Sequence, residues 1–326
     1  MNKQIFTQWH SQGLLSDESF QKIKEKQNSN LLSVYWEIKT LLYLSVILLS
    51  TGLGILIYKN IDSIGHTAIL TFLILLCIGS FYYCFKHNPT FTLSKTISPN
   101  ALFDYLLLLA CLTYITIIAY LQYQYNLFGN RYGIAIFIPM LVLFVSAYYF
   151  DNIGILSLAI TNLAAWLGIT VTPLEILKAN DFNNTTITLT AFALSIFLVV
   201  LAIYTKKKEV KKHFEFTYFN FGMHLFFISS IAAMFNFHHI YLICFLVLIM
   251  GAYYFYTKAL ADKSFYILLI TVLYTYFAIS YVVIDLLMMT EIHNSLPVYF
   301  ALLYFIGSGI GMILFLINNN KKLKTK

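Results

Sequence analysis

Apolar stretches of about 20 residues alternate with short polar clusters along the chain from Thr40 onward. A helix needs ~20 mostly apolar residues to cross the ~30 Å hydrocarbon layer of a bilayer, so each stretch is long enough to span a membrane. The pattern predicts an all-α, polytopic transmembrane helix bundle of about ten spans. The predicted spans are residues 40–58, 66–85, 101–122, 133–150, 153–172, 187–205, 214–236, 240–257, 265–286 and 297–317.

Composition favours the same class of protein. Hydrophobic residues make up 60% of the chain and charged residues only 11%, whereas a soluble domain has about 25% charged residues. The net charge of +7 does not predict nucleic-acid binding, because the lysines flank apolar segments. The cysteines have no metal-binding spacing, so we expect small buried side chains and no cofactor. They are Cys77, Cys84, Cys111 and Cys244.

The distribution of lysine and arginine predicts the orientation. With ten spans, 18 of the 21 Lys and Arg residues lie on the same side as the N-terminus. Cytoplasmic loops carry the excess of these residues, so both termini are predicted to be cytoplasmic. Asp151 and Asn152 are the only residues between spans four and five, which predicts a tight antiparallel hairpin there.

Four segments follow from this pattern. Residues 1–30 are predicted to form a cytoplasmic helical hairpin, and residues 31–39 an interfacial lead-in. Residues 40–318 form the transmembrane domain, and residues 319–326 form a basic cytoplasmic tail.

The N-terminal hairpin has the expected helix signals. Gly13 is a candidate C-cap of its first helix, and Ser16 is a candidate N-cap of its second. A module this small buries too little apolar surface to fold well alone, so we expect it to pack on itself, on the membrane surface or on a cytoplasmic protein partner. The residues predicted to form the partner-binding surface are Trp9, Gly13, Leu14 and Phe20.

A family resemblance rests on three successive motifs. They are Trp9-x3-Gly13-Leu14, Gly52-Leu53-Gly54 and Tyr58-Lys59-Asn60-Ile61-Asp62. Over about residues 5–85 this order resembles the bacterial predicted membrane proteins of domain-of-unknown-function family 2157, although Ile61 stands where that family often has Trp. The resemblance implies a cytoplasmic hairpin before the first span and a bacterial cytoplasmic (inner) membrane. The family has no established activity, so no catalytic residue is implied.

Three polar residues deep inside predicted spans form the candidate intramembrane polar site. His224 lies about ten residues into span seven, Asn220 lies one turn before it on the same face, and Asn162 lies midway through span five. Two interpretations stay open, because such groups either hydrogen-bond between helices or line a substrate site. Helix–helix hydrogen bonding is the simpler interpretation.

Acidic residues near span ends are weaker candidates. Asp104 and Glu215 lie near the starts of spans three and seven, and Asp285 lies near the end of span nine. Each side chain can reach the membrane interface, so helix capping or snorkelling is a simpler explanation for these residues than a functional role.

The predicted outer side carries scattered potential metal ligands. Their spacing demands no metal, and the adjacent pair among them cannot point to one ion from a regular helix, so no metal site is predicted. These residues are Asp62, His66, His238, His239, Glu291 and His293.

Two functions remain open from the sequence. One is a small-molecule permease or exporter, and the alternative is a non-catalytic membrane scaffold or sensor whose residues 1–30 bind a cytoplasmic partner. The chain has no P-loop, dinucleotide-binding, nucleophile-elbow or zinc-protease motif, so we do not expect an enzyme. The predicted partners are the lipid bilayer and, through residues 1–30, a cytoplasmic protein; no nucleic acid is predicted as a partner.

Overall fold

The structure is a computed structural model that describes residues 10, 12, 15–17, 19–21, 35–96, 98–171, 185–288 and 296–325. Its regular structure over these residues is helical, with no strand. The long helices are α1 (Tyr35–Ile64), α2 (His66–His87), α3 (Ala101–Tyr125), α4 (Tyr132–Phe150), α5 (Ile153–Val171), α6 (Thr185–Lys208), α7 (Glu215–Asn236), α8 (Tyr241–Ala261), α9 (Phe265–Met288) and α10 (Leu296–Thr325). Short 3-10 turns occupy Lys212–Phe214 and His238–Ile240.

All ten long helices of the described residues are long and apolar enough to cross a membrane. Each contains one of the stretches predicted from the sequence to within one residue at its ends, so the polytopic helix bundle with about ten spans is confirmed. The protein is a multi-pass helical membrane protein whose apolar surface contacts the lipid bilayer.

Two helix boundaries differ from the prediction. Helix α1 continues through Asn60–Asp62 to Ile64, because these residues contain no helix breaker, and the chain turns at Gly65 with a φ of 86°. A positive φ costs glycine little, which explains the position of the turn. Helix α10 continues to Thr325, so residues 319–325 of the predicted tail are helical.

The chain divides into two compact units, residues 1–56 and residues 57–326. In the second unit, neighbouring helices pack as the pairs α2/α3, α4/α5, α6/α7 and α8/α9, and α7 also contacts α5 and α8. The rings of Phe227 and Phe226 lie 5.4 and 5.5 Å from that of Phe255, which joins α7 to α8. A Cβ on Gly222 would lie 2.9 Å from Cγ2 of Val199, so this glycine allows α6 and α7 to approach closely.

The predicted hairpin between α4 and α5 is confirmed. Asp151 ends α4 in the left-handed region with a φ of 57°, and its backbone N–H donates to the carbonyl of Ala147. The side-chain oxygen of Asn152 then accepts from the backbone N–H of Ile155 at 3.1 Å, which caps the start of α5. Two residues therefore reverse the chain.

The loops that follow α2, α4, α6 and α8 meet at one end of the second unit. Thr96 contacts Asp151 at 2.8 Å, Asp151 lies 3.1 Å from Nζ of Lys211, and Lys206 lies 3.5 Å from Asp262. We call this end the lysine-rich face.

Candidate functional site

A hydrogen-bonded network joins α7 to α9 around His224. Nδ1 of His224 lies 3.0 Å from the hydroxyl of Tyr274, and Nε2 lies 3.0 Å from the hydroxyl of Tyr266. Tyr266 donates to Oδ1 of Asn220 at 2.8 Å. Asn220 and His224, which the sequence places on one helix face, therefore both contact Tyr266. Both ring nitrogens of His224 have a hydroxyl partner.

An apolar groove of about 640 Å³ adjoins this network. Its lining comes from α7 and α9 and includes Tyr274, whose hydroxyl contacts His224. The groove is open on one side. The other lining residues are Ile228, Ile231, Ala232, Phe235, Ile270, Leu273 and Phe277. The arrangement places a few polar groups at the border of a long apolar surface, as is common in sites for amphipathic molecules.

The third predicted member of the polar site does not join this network. Asn162 is half-buried on α5, and the hydrogen bonds around His224 involve Asn220, Tyr266 and Tyr274 instead. The sequence therefore predicted two of the four residues. Tyr266 and Tyr274 were missed because tyrosine is common throughout the spans, and no local spacing marks these two as partners of a histidine on another helix.

Glu215 belongs to an ion-pair network at the lysine-rich face. Its Oε1 lies 3.0 Å from Nζ of Lys258 and 3.1 Å from Nζ of Lys206, and Asp262 lies 2.9 Å from Lys258. Burial alone would raise the pKa of Asp262, but the hydrogen bond and charge of Lys258, together with Lys206, hold that pKa below its ordinary value. The network joins the ends of α6, α7 and α8, which is a structural role.

A second charged cluster at the same face is more deeply buried. Oδ1 of Asp151 lies 3.1 Å from Nζ of Lys211 and 2.7 Å from Nε2 of His213, while Oδ2 accepts from the backbone N–H and the hydroxyl of Thr96. The side chains of Asp151 and Lys211 are 2% and 1% exposed. Burial alone would raise the pKa of Asp151, but these hydrogen bonds and charges hold it below its ordinary value.

Asp104 contacts the residue that follows Asp151 in the chain, Asn152. Its Oδ1 accepts from the hydroxyl of Ser98 at 2.7 Å and from Nδ2 of Asn152 at 3.1 Å. The carboxylate therefore ties the start of α3 to the turn between α4 and α5. Asp104 is 6% exposed, so these hydrogen bonds, rather than contact with water, satisfy it.

The opposite end of the unit carries Asp285 and His66. Asp285 lies beside the hydroxyl of Tyr241, and its Oδ2 is buried without a hydrogen-bond partner in the described part of the chain. Nδ1 of His66 lies 2.5 Å from the hydroxyl of Tyr120.

Within the described ranges no three His, Cys, Asp or Glu side chains converge as metal ligands. Glu291 and His293 lie outside those ranges.

Part of the predicted N-terminal hairpin is described. The hydroxyl of Ser16 accepts from the backbone N–H of Ser19 at 3.4 Å, which confirms Ser16 as a helix cap. The ring of Phe20 stacks on His10 at 4.2 Å, and His10 lies 2.8 Å from Asp17. These contacts join His10 to Asp17 and Phe20. The other predicted surface residues, Trp9, Gly13 and Leu14, lie outside the described residues.

Comparison with known families supports the resemblance seen in the sequence. Residues 7–156, a little under half of the chain, match a family described as predicted membrane protein (DUF2157). The match runs beyond the 5–85 range argued from motifs and reaches the start of α5. Neither the curated proteins nor the solved structures contain a match. Residues 7–156 are therefore similar to the predicted membrane proteins of DUF2157, and the chain as a whole is a multi-pass helical membrane protein.

Proposed function

We propose that the protein is a permease or exporter of small apolar or amphipathic molecules, and that its substrate contacts the network around His224. The observation that carries the proposal is the position of that network beside the groove between α7 and α9. An amphipathic molecule can place its apolar part in the groove and exchange hydrogen bonds with His224, Tyr266 and Tyr274. This proposal assigns no catalytic role to any residue.

The polar groups suit reversible binding. Tyr266 is 40% exposed, so a substrate can contact this side chain without the helices separating. The hydrogen bonds of His224 are made with uncharged tyrosine hydroxyls. A hydrogen bond between uncharged groups contributes only about 0.5–1.5 kcal/mol net, so a hydrogen bond to a substrate can replace one of them at a small cost in free energy. A transporter needs such weak, exchangeable contacts, because it must release what it binds.

The experiment measures retention of three fluorescent probes by cells expressing the protein: the cation ethidium, the anion bis-oxonol and neutral Nile red. We expect the wild type to change retention of at least one probe. His224→Phe removes two hydrogen bonds and should reduce that effect roughly tenfold. The control His239→Phe changes an exposed histidine outside the network.

Tyr274→Phe provides a second variant, because it removes one hydroxyl while keeping the ring that stacks on Phe227 at 5.0 Å. Its effect should be smaller than that of His224→Phe. If cells with the wild type, His224→Phe and an empty vector retain all three probes equally, the transport proposal is wrong.

The scaffold or sensor remains the second candidate function. It is supported by the stacking of His10 on Phe20 and by the His10–Asp17 contact, which join residues of the two helices predicted for the N-terminal hairpin. Deleting residues 1–30 separates the candidates. A permease should still change probe retention after the deletion, whereas a sensor that controls retention through a cytoplasmic partner should lose its effect.

The location and orientation are part of this proposal. We propose a bacterial inner membrane with both termini cytoplasmic, so that the lysine-rich face lies in the cytoplasm, as the positive-inside rule favours. Reporter fusions after Gly129 and after Lys326 test it, because fluorescent protein should be active only at Lys326 and alkaline phosphatase only at Gly129. The reverse pattern would contradict it.

A further inference from the structure

A pocket of about 450 Å³, lined by five polar or charged residues, opens on the lysine-rich face. Ser94 and Lys95 line it from the loop between α2 and α3, and Glu209, Lys212 and His213 line it from the connection between α6 and α7. The two segments lie more than one hundred residues apart in the chain. The folding of the bundle therefore brings these side chains together around one concavity, separate from the network around His224.

The walls of the pocket are held in place by buried contacts. The backbone N–H of Lys211 donates to the carbonyl of Leu93 at 2.8 Å, which joins the two segments. Asp151 contacts Thr96 on one segment and both Lys211 and His213 on the other. Since Asp151 and Lys211 are almost fully buried, the pocket is formed before any ligand arrives. A preorganised site loses less entropy when a ligand binds.

The lining offers hydrogen-bond donors and positive charge. Lys211 lies 3.1 Å from Asp151 and offsets its charge. Among the described residues that line the pocket, Glu209 is the one acidic side chain beside Lys95 and Lys212. Lys212 and Glu209 pair at 3.4 Å, but their side chains are 60% and 75% exposed. Such a pair contributes about 0–1 kcal/mol, so an incoming anion can replace Glu209 as the partner of Lys212.

A phosphate group fits this chemistry. It carries up to two negative charges and only acceptor oxygens, which match two lysine ammonium groups and the hydroxyl of Ser94. We propose that the pocket binds a phosphomonoester group, carried either by the headgroup of an anionic lipid or by a soluble phosphorylated molecule. The site lies apart from the groove, so it does not depend on the proposed transport function.

The experiment compares two double variants with equal charge loss. Lys95→Gln/Lys212→Gln removes both pocket lysines, whereas Lys207→Gln/Lys208→Gln removes two exposed lysines that do not line the pocket. Both pairs are on the lysine-rich face, so long-range attraction of anions falls similarly in each. A loss confined to the pocket variant therefore reports a specific site.

The full-length protein is studied in phosphatidylcholine nanodiscs with two probes. Inorganic phosphate is titrated by calorimetry, and phosphatidic acid is incorporated into the discs while the thermal unfolding midpoint is measured. Binding of inorganic phosphate that weakens at least about tenfold in the pocket variant and less than about twofold in the control indicates a soluble ligand. A midpoint raised only by phosphatidic acid, and not in the pocket variant, indicates a lipid headgroup.

Either of these results supports the phosphate site and also identifies its source. The proposal is overturned if the wild type responds to neither probe, or if the two double variants lose their responses equally. The single variant Lys95→Gln guards against a folding defect, since it leaves the Lys212–Glu209 pair intact and should weaken binding by about threefold.

Discussion

Replacing Lys211 by Met should destabilise the protein much more than an ordinary lysine substitution. Methionine keeps most of the length of the apolar stem but removes the ammonium group, which lies 3.1 Å from Asp151 and 5.2 Å from the centre of the Phe91 ring. The carboxylate then stays buried without its ammonium partner, although Nε2 of His213 still lies 2.7 Å from it. Removing one member of a buried ion pair typically costs about 3–5 kcal/mol. Because Thr96 still donates two hydrogen bonds to Asp151, we expect about 3 kcal/mol.

The measurement is SDS-induced unfolding in mixed micelles, followed by intrinsic fluorescence, which gives the free energy of unfolding directly. Lys212→Met is the matched control, because it makes the same chemical change one residue away. Within the described part of the chain, Lys212 pairs with Glu209, and both side chains are mostly exposed, so the loss of Lys212 should cost about 0–1 kcal/mol. If the two substitutions cost the same, the reasoning about the buried pair is refuted.

Acid should reduce the difference between the wild type and Lys211→Met. The pKa of Asp151 is lowered in the folded protein, so its ionised form stabilises the fold above the unfolded-state pKa of about 3.9. That contribution is lost as pH falls through the lower folded-state pKa. Without Lys211 the folded-state pKa rises, so the variant loses less over the same interval. The gap should therefore narrow as pH falls below about 4.

Two further substitutions test helix packing and helix capping by the same unfolding measurement. Gly222→Ala places a methyl group 2.9 Å from Val199 and should lower the free energy of unfolding by about 1–3 kcal/mol. In the control Gly309→Ala the new methyl group has no atom within 4 Å, so it should cost nothing. Equal effects of the two substitutions would contradict the close approach of α6 and α7. Asn100→Ala removes the side-chain acceptor of the Phe103 N–H, which lies at 2.7 Å, and should cost about 1 kcal/mol; an unchanged free energy would show that this cap is not needed.

The spans could be predicted because each depends on a local property of the sequence. Apolar length alone locates all ten, and Asp151-Asn152 predicts the tight hairpin, because two residues leave no room for another connection. The end of α1 was harder to predict from the sequence. The apolar stretch ends at residue 58, but the helix continues to Ile64 and ends where Gly65 has a positive φ.

The contacts of the polar residues were harder to predict, because each partner comes from a distant part of the chain. Glu215 was assigned to the membrane interface as a capping or snorkelling residue, and it does lie at the end of a span, yet it pairs with Lys258 on another helix. His224 was found because a histidine inside a span is rare. Its partners Tyr266 and Tyr274 resemble many other tyrosines of the chain.

The lysines show most clearly what a count of charges omits. The orientation argument treats Lys207 and Lys211 as equivalent, since each adds one positive charge to the same loop. In the fold, Lys207 is exposed, whereas Lys211 is 1% exposed and lies against Asp151. Replacing a lysine that only sets topology should leave the free energy of unfolding unchanged. Replacing Lys211 should lower it, because Asp151 would stay buried without its ammonium partner. Topology and folding thus place different demands on neighbouring residues of one loop, and only the unfolding energies of single variants can separate them.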